Sequence, residues 1–577
     1  MKILKPLSLL FLLTGCSLTP SISSVTSSES SLTSQSSAFS SEKSLIPSDS
    51  SSCYSSDTSI SSEMISSAPV SSEIISSETS SNIPSSESTP SSTIISSCES
   101  SALPSSSEPL ISSEASSQVP SSEAPISSEV SSQSSSSGSE EIDFEQLFYD
   151  DFYEPSNDIS ITIMMSDEHL ERLCEYGSPY SVTTHDIYHP CDTIVTINGK
   201  SYEFPETGLR IKGNMSRGDS SNFFSNGQIN GHAHFKLSFS TTFNDNPNYE
   251  PTTDTSILKA RRFGKAKKID LKWNRNYDNT FTKEAYASYM FEQEDMMAQK
   301  INLVKVNFIS DHDSKTYIYQ ALECVDQQFL NKRLSKAEAK GDLYKCGWVN
   351  SDNASLTSIS TNLMGTEDCT KNEFYVYDLK TNEDTSNHEH LISLINSLNT
   401  YDQYADENTL KNRIEKVVDI DYFLRFAALE WLVGNPDSLR YNYNNTYLYF
   451  NSGNDLLYPI MFDNDRVFGI THDWPMLPTR WPTTSKSVGG DFSELQRNPL
   501  YQRTVCAASN EHPMLKEYQD RYLAYIKTYM DKYLDVNKFN QFTSEFVNKD
   551  NSYDDNLSFA SYCNEMIASY NNCIENR

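Results

Sequence analysis

The residues best suited to chemistry lie between Glu430 and Gly469. An apolar run ends in Gly434-Asn435-Pro436-Asp437, and three asparagines follow: Asn442, Asn444 and Asn445. Tyr447 to Phe450 has the composition of a strand and Asn451 to Asp455 that of a turn. A second strand, Leu456 to Phe462, ends in Asp463-Asn464-Asp465. Acids at the ends of two strands, with carboxamides between them, offer oxygen ligands on short turns. Magnesium accepts such ligands, and it commonly binds beside a phosphate. A calcium loop does not fit, because no acid follows at the fifth position and no Glu at the twelfth.

Basic residues that could meet phosphate come earlier. Arg210 and Lys212 alternate on a strand that runs into Gly213-Asn214-Met215-Ser216-Arg217-Gly218. A turn bounded by glycines can present backbone N–H groups to an anion, although a plain β-turn has the same composition. The Gly-Lys-Ser/Thr ending of a P-loop is absent from it. Lys236 lies on a further strand, His234 to Phe239. Asp311 and Asp313 read as a solvated hairpin turn. His388-Glu389-His390 reads as the solvated start of a helix, since histidines two apart do not share a helical face.

These groups need a scaffold, and its pieces are visible. Ile159 to Met165 alternates as a strand, and Ser166 is placed to cap a short helix after it. Asn198-Gly199-Lys200 joins Thr193–Ile197 to a returning strand as a hairpin. The pattern predicts a helix from about Phe281 to Lys300, strands at Val304–Ile309 and Lys315–Glu323, and a helix starting at Asp326. It also predicts a strand at Phe374–Lys380, helices at His390–Leu398 and Val417–Val433, and two or three covering helices from Met514 to the end.

Composition sets the organisation. Met1 to Pro20 has Lys2 and Lys5, an apolar run from Leu7 to Leu13, and then Thr14-Gly15-Cys16. This start resembles a bacterial lipoprotein signal (residues 1–16) in which Cys16 is lipidated. Residues 17–142 are dominated by Ser, with a recurring Ser-Ser-Glu unit. This composition predicts a disordered tether with a reach of about 60 Å. The tether carries 15 acids against Lys43 alone, so less than half of the net charge of −33 sits there. Residues 143–577 are therefore acidic too, which argues against nucleic acid as a partner. None of the 11 cysteines has zinc-site spacing. The expected location is the extracellular side of a bacterial cell membrane, with attachment through the lipid at Cys16.

Asp437 precedes Asn442 by five residues, the spacing at which protein kinases place the Asp that holds the acceptor hydroxyl and an Asn that helps bind magnesium. The order of several further landmarks resembles the CotH family, spore-coat or secreted proteins with an atypical kinase-like fold. These landmarks are Gly208 to Asn214, Phe235-Lys236-Leu237, Asp278, Glu323 with Asp326 and Phe329, Leu343-Tyr344-Lys345, Tyr377 to Lys380, Gly434 to Asp437, and Phe462 to Asp465 with Phe468-Gly469. The resemblance implies an α+β, two-lobed kinase-like fold over 143–577. It also implies transfer of the ATP γ-phosphate, with Mg2+, to Ser or Thr of Ser-rich surface proteins. The exposed Ser-Ser-Glu repeats make the chain's own tether, or a similar partner, an expected acceptor. By position, Asp437 and Asn442 would be catalytic. Asp463 or Asp465, with Asn442, would hold the metal, and Arg210, Lys212, Lys236 and Glu323 would serve the nucleotide. Met215, Ser238 and Thr282-Lys283 depart from the family pattern. The alternative is a catalytically silent surface-binding, adhesion or wall-associated protein on the same scaffold.

Overall fold

The computed structural model describes residues 144–220, 222–400, 406–470, 498–505, 516–550 and 556–575. The expected signal, Cys16 and the tether lie outside the described residues. Among the described residues no helix is long and apolar enough to cross a membrane.

The fold mixes helices and strands. Its first half is a closed barrel, built from alternation of apolar and polar residues. The strands are β1 (Ile159–Met164), β2 (His189–Ile197) and β3 (Lys200–Ile211). After a small hairpin of β4 (Phe224–Ser225) and β5 (Gln228–Ile229) come β6 (Phe235–Ser238), β7 (Lys268–Lys272), β8 (Ile301–Ile309) and β9 (Ser314–Glu323). The barrel order is β1-β2-β3-β6-β7-β9-β8, closed by parallel pairing of β8 with β1. Inward residues such as Ile161, Val195, Leu209, Phe235, Leu237, Ile269, Leu271 and Val306 form one core. Because side chains alternate along a strand, Arg210, Lys236, Asp270 and Lys272 point outward. Register sets Arg210 opposite Lys236, and Lys236 opposite Asp270.

A second sheet covers that outward face. It contains β10 (Leu343–Cys346), β13 (Met364–Gly365), β14 (Tyr377–Leu379), β15 (Thr446–Phe450) and β16 (Leu457–Met461), in the order β13-β14-β10-β15-β16. Between β10 and β13 lies a short hairpin, β11 (Trp348–Val349) with β12 (Asp352–Asn353). One face of this sheet, with Tyr344, Leu448, Phe450 and Met461, packs into a large helical core around Phe423, Trp431, Tyr522 and Phe559. The opposite face, with Leu343, Tyr447, Tyr449 and Ile460, forms a smaller core with Phe329 and Leu330.

The expected cap holds: the Ser166 side chain accepts from the His169 N–H. The helix expected to start at Asp326 does so, and the Asp326 side chain caps it by accepting from Gln328 and Phe329. The Tyr-rich end supplies the helices Lys516–Tyr533, Val536–Ser544 and Asn556–Glu575. The helix predicted over Phe281–Lys300 is shorter, Lys283–Glu292. Asp295 takes a left-handed φ of 56° just after it, and the chain then enters β8. Cys174, Cys191, Cys324, Cys346, Cys369 and Cys563 are buried thiols.

Candidate functional site: a carboxylate group around one buried lysine

The helix Ile420–Val433 ends at Gly434, whose φ of 64° gives the left-handed C-cap that glycine adopts without strain. The turn beyond it is fixed by Asn435. Its side-chain oxygen accepts from the Asp437 N–H at 3.0 Å, and its amide donates to the Asp463 carbonyl at 3.3 Å and to the Asn464 side chain at 3.2 Å. One asparagine therefore ties the Asp437 turn to the end of β16. The Asp437 carboxylate accepts from Asn442, from Asn444 at 3.3 Å and from Asn445 at 2.9 Å. Burial raises its pKa against the pull of those amides, and the charge on Asp463 raises it further.

Asp463 and Asp465 follow β16, and Asp463 adopts a φ of 55°, a conformation costly for a non-glycine residue and frequent at functional sites. Both carboxylates turn to Lys272, the last residue of β7. Asp463 forms an ion pair with the Lys272 Nζ, and Asp465 stands 3.3 Å from it. Glu284, in the first turn of the helix Lys283–Glu292, holds the same Nζ at 3.0 Å. The Glu284 carboxylate also accepts from the Asn464 N–H at 2.9 Å, locking strand, helix and turn together. The side chains of Lys272 and Glu284 are only 5% and 4% exposed.

Three carboxylates on one ammonium leave an excess of negative charge. Burial raises Glu284 to about 7 and Asp465 to about 6, opposed in both by Lys272 and reinforced by neighbouring acids. At Asp463 burial also pushes up, but Lys272 and Lys212 outweigh it and hold the carboxyl well below its usual range. A divalent cation relieves that surplus better than protons do, and oxygen ligands on a turn suit magnesium. The residues present therefore fit a divalent cation, to which Asp463 and Asp465 offer oxygen atoms on one turn.

A pH dependence follows. Folded Glu284 and Asp465 keep protons that the unfolded chain releases near the ordinary carboxylate values of 4.5 and 3.8. Between those values and about 7 the folded state binds more protons, so metal-free stability is expected to fall as pH rises through this window. Asp463, held low, acts in the opposite sense only below it. Thermal denaturation across pH 4.5 to 7.5 checks this: Glu284→Gln is expected to flatten the slope, and magnesium to flatten it in the unmodified chain.

The predicted basic residues lie on the barrel's outward face. Lys212 meets Asp270 at 2.7 Å and Lys236 meets it at 3.0 Å, so two lysines share one buried aspartate. Arg210 is spent on Asp186 at 2.8 Å and on the His185 carbonyl at 3.0 Å. Glu323 is not brought to the site. Its carboxylate is held by Lys332 at 2.5 Å and Arg333 at 2.6 Å. In the turn after β3, the N–H groups of Arg217 and Gly218 bond back to Asn214 and Met215. Asp311 and Asp313 do lie in an exposed turn, where Asp313 accepts from Ile229 N–H. The His388 ring meets the Tyr344 hydroxyl at 2.9 Å.

Sequence reasoning missed Lys272 and Glu284. The signal was the alternation Lys268-Ile269-Asp270-Leu271-Lys272, a strand pattern lying just before a helix with an acid in its first turn. A strand lysine paired with a helix glutamate, next to a metal-binding Asp, is the arrangement protein kinases use to hold nucleotide phosphates.

A family model described as CotH kinase protein matches residues 209–577. The chain belongs to the CotH kinase protein family. That match runs from within β3 to the C-terminus and includes every residue of the carboxylate group. No curated protein matches the chain. Family membership points to a kinase-like protein in which ATP and metal use are to be expected.

Proposed function

We propose that the chain is a magnesium-dependent protein kinase that moves the γ-phosphate of ATP to Ser or Thr hydroxyls. The observation that carries this is the convergence of Lys272, Glu284, Asp463 and Asp465 beside Asp437, with Asp270 and its two lysines on the same face of the barrel. Three carboxylates meet the Lys272 ammonium, and two lysines share Asp270. A nucleotide carrying a divalent cation is complementary to both.

In this reading the barrel and the helix-rich half act as the two lobes of a kinase-like fold. Asp437 accepts the proton of the attacking hydroxyl, and its three asparagine donors aim the carboxylate. Its raised pKa keeps it a competent base. Lys272, fixed by Glu284, orients phosphate oxygens. Magnesium at Asp463 and Asp465 would neutralise charge on the transferring phosphate. Arg210 and Glu323, being engaged in other ion pairs, support the barrel in this account.

We extend the proposal to location and acceptor. A lipid at Cys16 would anchor the chain to the outer face of the membrane, and the Ser-Ser-Glu tether would be both spacer and acceptor. Incubating the full chain with ATP and magnesium is expected to add multiples of 80 Da, mapping to residues 17–142; an unchanged intact mass would remove the tether as acceptor.

A further inference from the structure

One stretch of the surface runs against the charge of the whole chain. Residues 259–268 hold Lys259, Arg261, Arg262, Lys265, Lys267 and Lys268 and no acid, in a protein of net charge −33. They lead from the helix Thr255–Ala260 through a turn into β7. Phe263 and Ala266 close that turn, each N–H donating to the other's carbonyl, at 2.8 and 3.0 Å. Phe263 anchors it in the core, stacked on Phe239 with ring centres 4.5 Å apart. Arg261 turns inward, to the Phe239 and Glu206 carbonyls at 2.6 Å. The other five cations stay at the surface, with Lys259 and Lys265 exposed. Arg262 donates to the carbonyls of Lys259, Ala260 and Arg261, and Lys268 lies 5.9 Å from the centre of the Tyr188 ring. Among the described residues none of the five forms an ion pair. At Lys267 burial lowers the pKa, and Arg262, Lys268 and Lys259 lower it further against the pull of Asp326.

An acidic segment of the same chain ends beside this strip. Residues 129–143 contain Glu129, Glu140, Glu141 and Asp143, seven serines, and no Lys or Arg. They run directly into the helix Phe144–Tyr153, whose Phe152 meets Phe263 edge-on at 4.8 Å. Phe144 is about 12 Å of helix from Phe152, and Glu140 is at most about 14 Å of chain further on. Covalent attachment gives these acids an effective concentration of about millimolar at the strip. A membrane or another large polyanion is worse placed, because residues 143–577 are acidic as a whole and repel it around the strip. A short segment feels only the charges within a Debye length of about 8 Å.

We propose that the basic strip 259–268 is an intramolecular docking surface for the acidic end of the tether, residues 129–143. Docking holds the serines between Glu129 and Glu140 at the Lys268 end of β7, about 13 Å along the strand from Lys272. The contact itself depends on charge alone. Its use, to deliver tether serines to the Lys272 site, rests on the kinase reading.

Zero-length carbodiimide coupling of the full chain, mapped by peptide mass, tests the contact without ATP. Glu129, Glu140, Glu141 or Asp143 is expected to couple to Lys259 or Lys265, with a yield that falls about threefold between 50 mM and 500 mM salt. The exposed pair Lys516 and Asp520, 2.7 Å apart, is the coupling control. Mixing 15N-labelled with unlabelled chain separates coupling within one molecule from coupling between copies. A second readout uses Lys259→Glu combined with Lys265→Glu, two exposed positions. That variant is expected to be cut after Glu140 and Glu141 by a Glu-specific protease about threefold faster than the unmodified chain. Control coupling without strip coupling, coupling only between copies, or unchanged cleavage in the variant would overturn the proposal. Binding to phosphatidylglycerol vesicles that the variant loses, without strip coupling, would overturn it in favour of a membrane. Strip coupling in a chain that transfers no phosphate would keep the docking surface and remove the kinase reading. Tether phosphorylation without strip coupling would do the reverse.

Discussion

Replacing Asp437 by asparagine is expected to reduce phosphate transfer by about 10²–10⁴-fold while leaving ATP and magnesium affinity within a small factor of the unmodified chain. The substitution keeps the shape of the side chain and removes the oxygen that accepts the proton of the attacking hydroxyl. Asn442, Asn444 and Asn445 all donate to Asp437, so an amide in its place has donors facing donors on one side. Some loosening of the turn follows, but Asn435 still ties that turn to Asp463 and Asn464 through groups the variant does not touch. The Asp463–Asp465 end of β16 therefore stays in place. A kinetic split, with kcat falling and nucleotide affinity preserved, distinguishes loss of the base from loss of the site.

Lys272→Met is expected to give the largest loss of stability among single substitutions in the group, about 3–5 kcal/mol, together with loss of transfer. Lys272 is the one ammonium among Glu284, Asp463 and Asp465, and it and Glu284 are almost wholly buried. Without it, Glu284 must take up a proton or stay as an uncompensated charge in the interior. Most of the cost arises there, because the Asp463 side chain is 35% exposed and water screens its share. Adding Glu284→Gln to Lys272→Met removes the stranded charge and is expected to recover part of the loss, although transfer stays absent. Urea denaturation of the single and double variants measures this coupling. Simple additivity of the two effects would contradict a direct pair.

Much of the scaffold could be read from residue order. The Asn198-Gly199 hairpin, the cap at Ser166, the helix start at Asp326, and the two strands flanking Asn451–Asp455 all rest on local rules, and the structure follows them. The acids at Asp437, Asp463 and Asp465 were visible because turns advertise their side chains. Lys272 and Glu284 were not, for a physical reason. On a strand, polar residues at alternate positions ordinarily mark a solvated face, and here that face is covered by a second sheet and a helix. The Asp463 partner of Lys272 lies 191 residues away, and the Asn464 N–H that Glu284 accepts from is as remote, beyond any local pattern. Glu323 misleads in the opposite sense. Nothing in its own strand shows that Lys332 and Arg333 return from the next helix to take its charge. The helix over Phe281–Lys300 overshoots because the left-handed residue at Asp295 leaves little mark on an amphipathic pattern.

The central claim is that the carboxylates around Lys272 bind magnesium to serve phosphate transfer. Its most direct test is the transfer of labelled γ-phosphate from ATP by the full chain, with and without magnesium, in the unmodified protein and in Asp463→Ala. The account predicts transfer only with magnesium, and none in Asp463→Ala even though that variant remains folded. Identical behaviour of the two proteins, with neither binding nucleotide, would contradict it.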